Sequence, residues 1–511
     1  MKSTSRQGGL ARGASALGGL FVATLLASCG GGGDSGPPPS SGLVPSSSVA
    51  ERCVAPRPAG TVDENGQPYG DVLGTVADEK QWVRSWIDET YLWYQDVRAL
   101  SAATLNAANY ADALSYFNAL KSPLITASGK EKDHYHFTYD TPTWVALSQS
   151  GTSYGYGFEV ALIAATPPRQ ALIAYTNAGT PAATAGIARG AAVLKVDGVD
   201  LVNGTDVDTL NNGLFPTAAG AHTLTILDAG ASASRDVTLT AQALSPSTVQ
   251  NVKTLPAPNQ TVGYMQFNDH LATSEAQLVT AINQLQAASI TDLVLDIRYN
   301  GGGYLDVASE LAYMIAGPTL TTGKVFEQLA FNDKNPFNFS AADTITSFHS
   351  TAQGFSLQSG QPLPTLNLSR VFVLVGAGTC SASEAIVNGL RGVGVTVNLI
   401  GATTCGKPYG FYPTDNCGTT YFSIQFHGVN QLGQGDYADG FAPTCSAGDD
   451  FTHLLGDPAE GRLAAALSYR TNGVCAPAMS MAQGAKSANS AQREPTLVRS
   501  VLRENRIYRS H

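Results

Sequence analysis

Hydrophobic positions along this chain change their period several times, and each change predicts a different kind of element. Between Asp78 and Tyr94, Trp82, Trp86, Ile87 and Trp93 recur near helical spacing, with Asp78 and Glu79 placed to favour the helix start. A second helical pattern runs over 110–120, so residues 51–148 read as a small, mainly helical domain whose aromatic stripe is core. From 149 to 246 the pattern shortens to runs of Val, Ala, Thr and Gly broken by turns, which predicts a β-rich domain. Over 247–475, apolar strand runs alternate with helical stretches. A strand at 261–267 leads to a helix at 274–287, then to the buried run Asp292–Asp296, a glycine turn and another helix. Two more apolar strands, 370–375 and 395–400, flank a helix that begins near Ser383. Strand, helix, strand in that order predicts a parallel sheet with crossovers. The fold class is therefore α/β multidomain: a helical N-terminal domain, a β-rich domain, and an α/β domain built on a β-α-β core.

Composition places these domains outside the cytoplasm. The 511 residues leave room for roughly three domains of about 150 residues each. Lys2, Arg6 and Arg12 precede an apolar run from Ala14 to Ala27, too short to span a membrane as a mature helix. Leu26-Ala27-Ser28-Cys29 resembles a bacterial lipoprotein cleavage box, with residues 1–28 as signal peptide and Cys29 as the lipidated residue. Residues 29–50 then form a Gly/Pro/Ser tether. The expected location is exported, lipid-anchored and periplasm-facing, with the outer membrane favoured because Gly30 follows Cys29. A formal charge of −10 argues against a nucleic-acid partner. The Arg-bearing end, 476–511, reads as a disordered basic tail with at most a short helix from Pro495 to Arg506.

Of seven cysteines, those other than Cys29 are Cys53, Cys380, Cys405, Cys417, Cys445 and Cys475, an even set compatible with disulfides in an exported protein. Proximity in the chain suggests Cys405 with Cys417 and Cys445 with Cys475. No Cys/His spacing fits zinc, and His134 with His136 lack a third ligand, so neither a metal nor an organic cofactor is implied.

Candidate chemistry gathers where strands end. Thr379-Cys-Ser381-Ala-Ser-Glu384 joins a buried strand to a helix, and a hydroxyl there lies beside the unpaired N–H groups of the first turn. The same residues suit a plain helix cap, and the bland reading is the commoner one. Lys407, after Gly406, follows Ser381 by one helix and one strand, a path that returns the chain to the same sheet edge. Asp296-x-Arg298-x-Asn300-x-Gly302-Gly303 closes another strand of this domain.

In the β-rich region, Gly155-Tyr156-Gly157-Phe158 and the later Ala185–Gly198 segment resemble a PDZ domain and its peptide carboxylate-binding loop. Behind it, the three landmarks in this order, with Tyr437-Ala-Asp-Gly-Phe-Ala-Pro443, resemble the C-terminal processing peptidases. These are serine endopeptidases related to tail-specific protease and the tricorn core. The resemblance implies Ser381 as nucleophile, Lys407 as general base, and Ala382 and Gly302 as oxyanion donors, acting on polypeptide substrates through their C-termini. For that, Lys407 must be neutral when it accepts the serine proton. Gly392 stands where many members have an acid, and Phe411 where many have Gln, so the orienter of Lys407 is open, with Ser383 and Glu384 as candidates. These departures also permit a noncatalytic peptide-binding or scaffold lipoprotein on the same fold. A histidine base, His427 or His453, is a further alternative.

Overall fold

The computed structural model describes residues 42–63, 66–127, 129–150, 152–245, 247–475, 495–498 and 507–508. The expected signal peptide, Cys29 and most of the expected tether lie outside the described residues. The tether ends earlier than its composition suggests: Ser46 docks on Glu89 through its N–H (2.8 Å) and hydroxyl (2.5 Å), and Val49 is buried.

A six-stranded sheet organises the α/β region. Its strands run in the order Val249–Thr254, Val262–Phe267, Asp292–Asp296, Arg370–Val375, Thr396–Gly401 and Cys445–Ser446. All neighbours are parallel except the first pair. Alternation sorts the side chains: Val371, Val373 and Val375 enter one core, Phe372 and Leu374 the other. The first core is shared with helices Ser274–Ala287, Leu305–Ala316 and Ala382–Gly392, the second with helix Gly461–Asn472. The sheet is thus sandwiched between helical layers and is apolar on both faces, as parallel sheets require.

The N-terminal helix Val76–Thr90 is opened by a capping box between Thr75 and Asp78. Trp82 and Trp86 stack at 5.3 Å and continue the first core, which runs without a break into the α/β region. The helical segment is therefore packed as part of that region. A second sheet, built mainly from 153–244, has its own core of Val160, Ile173, Val193, Leu224 and Ile226 among others.

Three disulfides join Cys53 to Cys417, Cys380 to Cys405 and Cys445 to Cys475. The last matches the expectation from proximity, but the expected Cys405–Cys417 pair does not form. Cys417 sits in the tight turn between strands Thr414–Asn416 and Thr419–Phe422, which carries it to the N-terminal strand Arg52–Cys53. Chain proximity misses this because the partner lies at the other end of the sequence.

The C-terminal tail also departs from expectation. Thr496–Val498 is a strand at the expected start of a short helix, Ile507–Tyr508 is a second strand, and residues 499–506 lie outside the described residues.

Below the sheet, Glu310 and Glu275 face the same loop, and the Gln353 N–H donates to both, at 2.9 and 2.7 Å. Burial and the Glu275 charge push Glu310 up to about 9. Against its own burial, Glu275 is held below the ordinary carboxylate range by N–H groups of Ser356 and Leu357. The folded state thus retains a proton that the unfolded chain releases above about pH 4.5. Its contribution is complete below that pH and is lost as pH rises towards about 9. Glu310→Gln, which keeps the neutral shape, is expected to flatten this slope and to exceed the parent by roughly 2–4 kcal/mol at pH 8.5. Urea unfolding at pH 5 and 8.5 measures it, and an unchanged slope would refute it.

Candidate active site

Ser381 stands at the junction of the buried strand Arg370–Val375 and helix Ala382–Gly392, at the N-cap position. Its backbone is at φ 64, ψ −121, a conformation costly for a residue with a Cβ, and one that aims a side chain out of a sharp strand-to-helix turn. Its hydroxyl is wholly buried and makes no full hydrogen bond, facing the Glu384 N–H only as the open half of a capping box. A serine present only as a cap would spend its oxygen on the first-turn N–H groups.

Glu384 does the capping instead. Its buried carboxylate accepts from the N–H of Ser381 (3.0 Å), Gly406 (2.9 Å) and Lys407 (2.8 Å), and from the Thr404 hydroxyl (2.5 Å). Burial pushes this carboxyl up, opposed by those same donors. One side chain therefore fixes the backbones of both Ser381 and Lys407. Glu384 is a positioning residue acting on main chain, with no contact to the lysine ammonium required.

The Lys407 side chain is fully buried, and its Nζ lies 4.5 Å from the ring centroids of both Tyr135 and Phe411. Phe411, which departs from the family pattern, thus packs directly on the candidate base. Gly406 needs its φ of +88 to reach this turn, and a Cβ there would lie 2.2 Å from the Ala438 carbonyl oxygen. The Cys380–Cys405 disulfide links the residue before Ser381 to the turn before Lys407. Among the described residues, the one cluster with metal-ligand spacing is Cys380, Glu384 and Cys405, and its two sulfurs are already bonded to each other.

The glycine turn is stitched to the nucleophile's turn. The Asn300 carbonyl accepts from the Cys380 N–H and from the Ser383 hydroxyl, each at 3.1 Å. Ser383 spends its one proton on the glycine turn, which leaves its oxygen lone pairs as acceptors. Ala382 opens the helix, where its N–H has no intrahelical acceptor. The Gly302 N–H, a candidate oxyanion donor from sequence, instead donates to Asn300 Oδ1 at 3.0 Å. The donor left over in this turn is the Gly301 N–H, which has no partner among the described residues. The Asn side chain that curls back onto Gly302 was not foreseeable from residue type alone. Gly303 follows at φ +139, where a Cβ would meet the His270 carbonyl oxygen at 2.4 Å.

His270 is a site residue that sequence reasoning missed. Its Nδ1 lies 3.0 Å from Asn300 Oδ1, its Nε2 is buried without a partner, and burial lowers it to about 3, so the ring is neutral. It lacks any local motif, and only the sheet brings it under the glycine turn. Neither alternative base hydrogen-bonds the Ser381 hydroxyl, and His427 pairs with Tyr409, two residues beyond Lys407. His453 is paired with Asp450 at 2.6 Å, and His427 lines a cavity of ≈ 790 Å³ with Asn388, Arg391 and Tyr437. His134 and His136 bind neighbouring carbonyl oxygens of Glu131 and Phe117.

Below the turn, Arg298 forms a buried hub. It donates to Asp296 (2.9 Å), Asp449 (2.8 Å) and both oxygens of Glu460 (2.7 and 2.9 Å). Asp449 also accepts from Arg189 of the β domain at 2.6 Å, so this hub ties the two regions together.

Gly155–Phe158 leads into strand Phe158–Ala164 of the β domain. The Tyr156 and Gly157 carbonyls are taken by the N–H groups of Ala182 and Asn177 (2.9 and 2.7 Å), and the Tyr156 hydroxyl donates to the Gly213 carbonyl (2.8 Å). The loop is thereby braced from both sides.

Two family models match the chain: the N-terminal domain of peptidase S41 at residues 78–139, and peptidase family S41 itself at 261–411. A carboxyl-terminal-processing protease of Synechocystis sp. is 28% identical over 298 residues, covering 56% of this chain and 62% of that protein. A protein of the same name from Picosynechococcus sp. is 28% identical over 236 residues, covering 45% of this chain and 49% of its own. The chain thus spans less than two thirds of these relatives' length in the matched regions. A solved S41 protease structure from Bacteroides fragilis NCTC 9343 superposes with a TM-score of 0.58 at 22% identity, covering 80% of this chain and 98% of that one, which shows a shared fold. These matches, in the order of the chain's landmarks, identify residues 78–139 and 261–411 as similar to the N-terminal and peptidase domains of family S41.

Proposed function

We propose that this protein is a serine endopeptidase that cleaves polypeptides through a Ser381/Lys407 dyad. The observation that carries the proposal is the Ser381 hydroxyl: buried, without a full hydrogen bond, at a strained elbow whose backbone shares the Glu384 carboxylate with Lys407. In this mechanism neutral Lys407 takes the serine proton as Oγ attacks the scissile carbonyl. The oxyanion is received by the Ala382 and Gly301 N–H groups, and Lys407 then returns the proton to the leaving amine. Water repeats the cycle to release the acyl group.

The β domain supplies an edge strand, Phe158–Ala164, preceded by a Gly-x-Gly-Phe loop, which suits β-addition by a substrate's C-terminal segment. The substrates are polypeptides, and the protein is exported and held at the membrane by lipid on Cys29, facing the periplasm. Support for that location is the sequence signal alone.

A fluorophosphonate tests the nucleophile directly. Incubation of the full chain is expected to give one adduct, mapped by peptide mass to Ser381. An adduct at another residue, with casein still being cut, would overturn the assignment.

A further inference from the structure

The last strands of the chain occupy two places where a substrate peptide would be received. Thr496–Val498 pairs antiparallel with the edge of Phe158–Ala164, in the register Thr496 with Leu162, Leu497 with Ala161 and Val498 with Val160. That edge follows the Gly155–Phe158 loop, and the tail runs towards the loop, the polarity a captured C-terminus would have. The tail does not stop there, however. Val498 is followed by further residues to His511, so the loop meets an internal segment rather than a terminal carboxylate.

The second contact lies in the candidate active site. Ile507–Tyr508 pairs parallel with Gly303–Tyr304, the strand directly after the Gly301–Gly302 turn. The same two residues lie beside Tyr409–Gly410, which begins two positions after Lys407. The tail strand therefore sits between the segment that follows the oxyanion turn and the segment that follows the base. Consistent with a closed cleft, Ser381 and Lys407 are both at 0% exposure.

A third observation concerns packing. Leu497 rests on a cluster formed by Ala161, Ala174 and Tyr175 of the β domain with Tyr299 and Leu455 of the α/β region. Its side chain thus plugs the junction of the two regions.

We propose that the two C-terminal strands, Thr496–Val498 and Ile507–Tyr508, are an intramolecular peptide ligand that occupies the receiving edge and the cleft, so that polypeptides in trans compete with it. The order of contacts is informative. A substrate held by its C-terminus at the edge would place upstream residues at Ser381, whereas here downstream residues reach the cleft. The tail enters with the wrong order for productive cleavage and acts as a competitor. Being covalently attached, it presents itself at an effective concentration on the order of millimolar, enough to exclude weak ligands.

This proposal rests on reading Phe158–Ala164 as a peptide-receiving edge, so its test has readouts independent of turnover. The probe is a fluorescein-labelled peptide of residues 495–511. It is titrated into the full chain carrying Ser381→Ala, and into the same chain with Leu497→Asp added, which sets a charge in the apolar junction and releases the tail. The double variant is expected to bind at least tenfold more tightly, and hydrogen exchange over 158–164 and 302–304 is expected to accelerate in it. Equal affinity with unchanged exchange would overturn the proposal. A chain ending at Glu494 serves as second variant should the aspartate disturb folding, with the same expected and overturning results. An unrelated peptide with an apolar C-terminus separates the two readings. If it binds the released chain while the tail peptide does not, the tail proposal fails and the receiving edge stands; if neither binds, both fail.

Discussion

Ser381→Ala is expected to lower kcat/KM on an unfolded protein such as casein by about 10³-fold or more, with no loss of stability. The stability half follows from the structure: the hydroxyl makes no full hydrogen bond, so its removal strands no partner. Alanine also bears the same Cβ at φ 64 and adds no new backbone strain. The activity half follows from the chemistry, since the neighbouring hydroxyls of Thr379 and Ser383 are bonded to the carbonyls of Ile297 and Asn300. Lys407→Ala is expected to fall as far. Lys407→Arg should not recover activity, because a guanidinium does not give up its proton in a protein. Because the two residues act as a unit, the double variant should be no worse than either single one. Cleavage retained above about a tenth in Ser381→Ala would sink the dyad. A parent that cleaves nothing, even after Leu497→Asp frees the cleft, would favour the noncatalytic scaffold instead.

The architecture was legible where period and burial agree. Ser274–Ala287 and Asp292–Asp296 lie where the pattern put them, because a buried parallel strand writes itself as a continuous apolar run. Ser381 and Lys407 could be singled out because a β-α-β path returns the chain to one edge of the sheet. What stayed hidden depends on side chains folding back or on distant partners. The Asn300 amide claims Gly302 and leaves Gly301 as the spare donor, and nothing in an Asn-Gly-Gly-Gly run says which glycine it will be. Glu384 was visible as a first-turn acid, but that it also holds the N–H of Lys407 needed the fold. Cys53 pairs with Cys417 across 364 residues, beyond any local signal. The tail's strands were hidden for a related reason: a β-strand added to an edge takes its structure from the partner, and its own Arg-rich composition reads as solvated.

Arg298→Met is expected to destabilise the protein by roughly 3–5 kcal/mol, the scale for breaking a buried ion pair from one side. Arg298 is fully buried with Asp296, Asp449 and Glu460, and its removal leaves those carboxylates to Arg189 and Arg462. Arg298→Lys should recover only part of the loss, since an ammonium cannot grip both oxygens of Glu460 while reaching Asp296. The same hub sets an acid limit. Against burial, Arg189, Arg298 and Arg462 hold Asp449 far below the usual carboxylate range. Its contribution is therefore present above the unfolded value near 4 and is lost as pH falls below it. The variant should shed part of this acid dependence, because one of the cations lowering Asp449 is gone. Since Asp296 and Arg298 anchor the strand end that leads into Asn300 and Gly301, activity should fall with stability, and Arg298→Lys should lose more in kcat than in KM. Urea midpoints at pH 7 and pH 3 for the three proteins decide the matter. A methionine variant within about 1 kcal/mol of the parent at pH 7 would show that the hub is replaceable by packing, as some buried ion networks are, and that the turn is held by the Asn300 contacts alone.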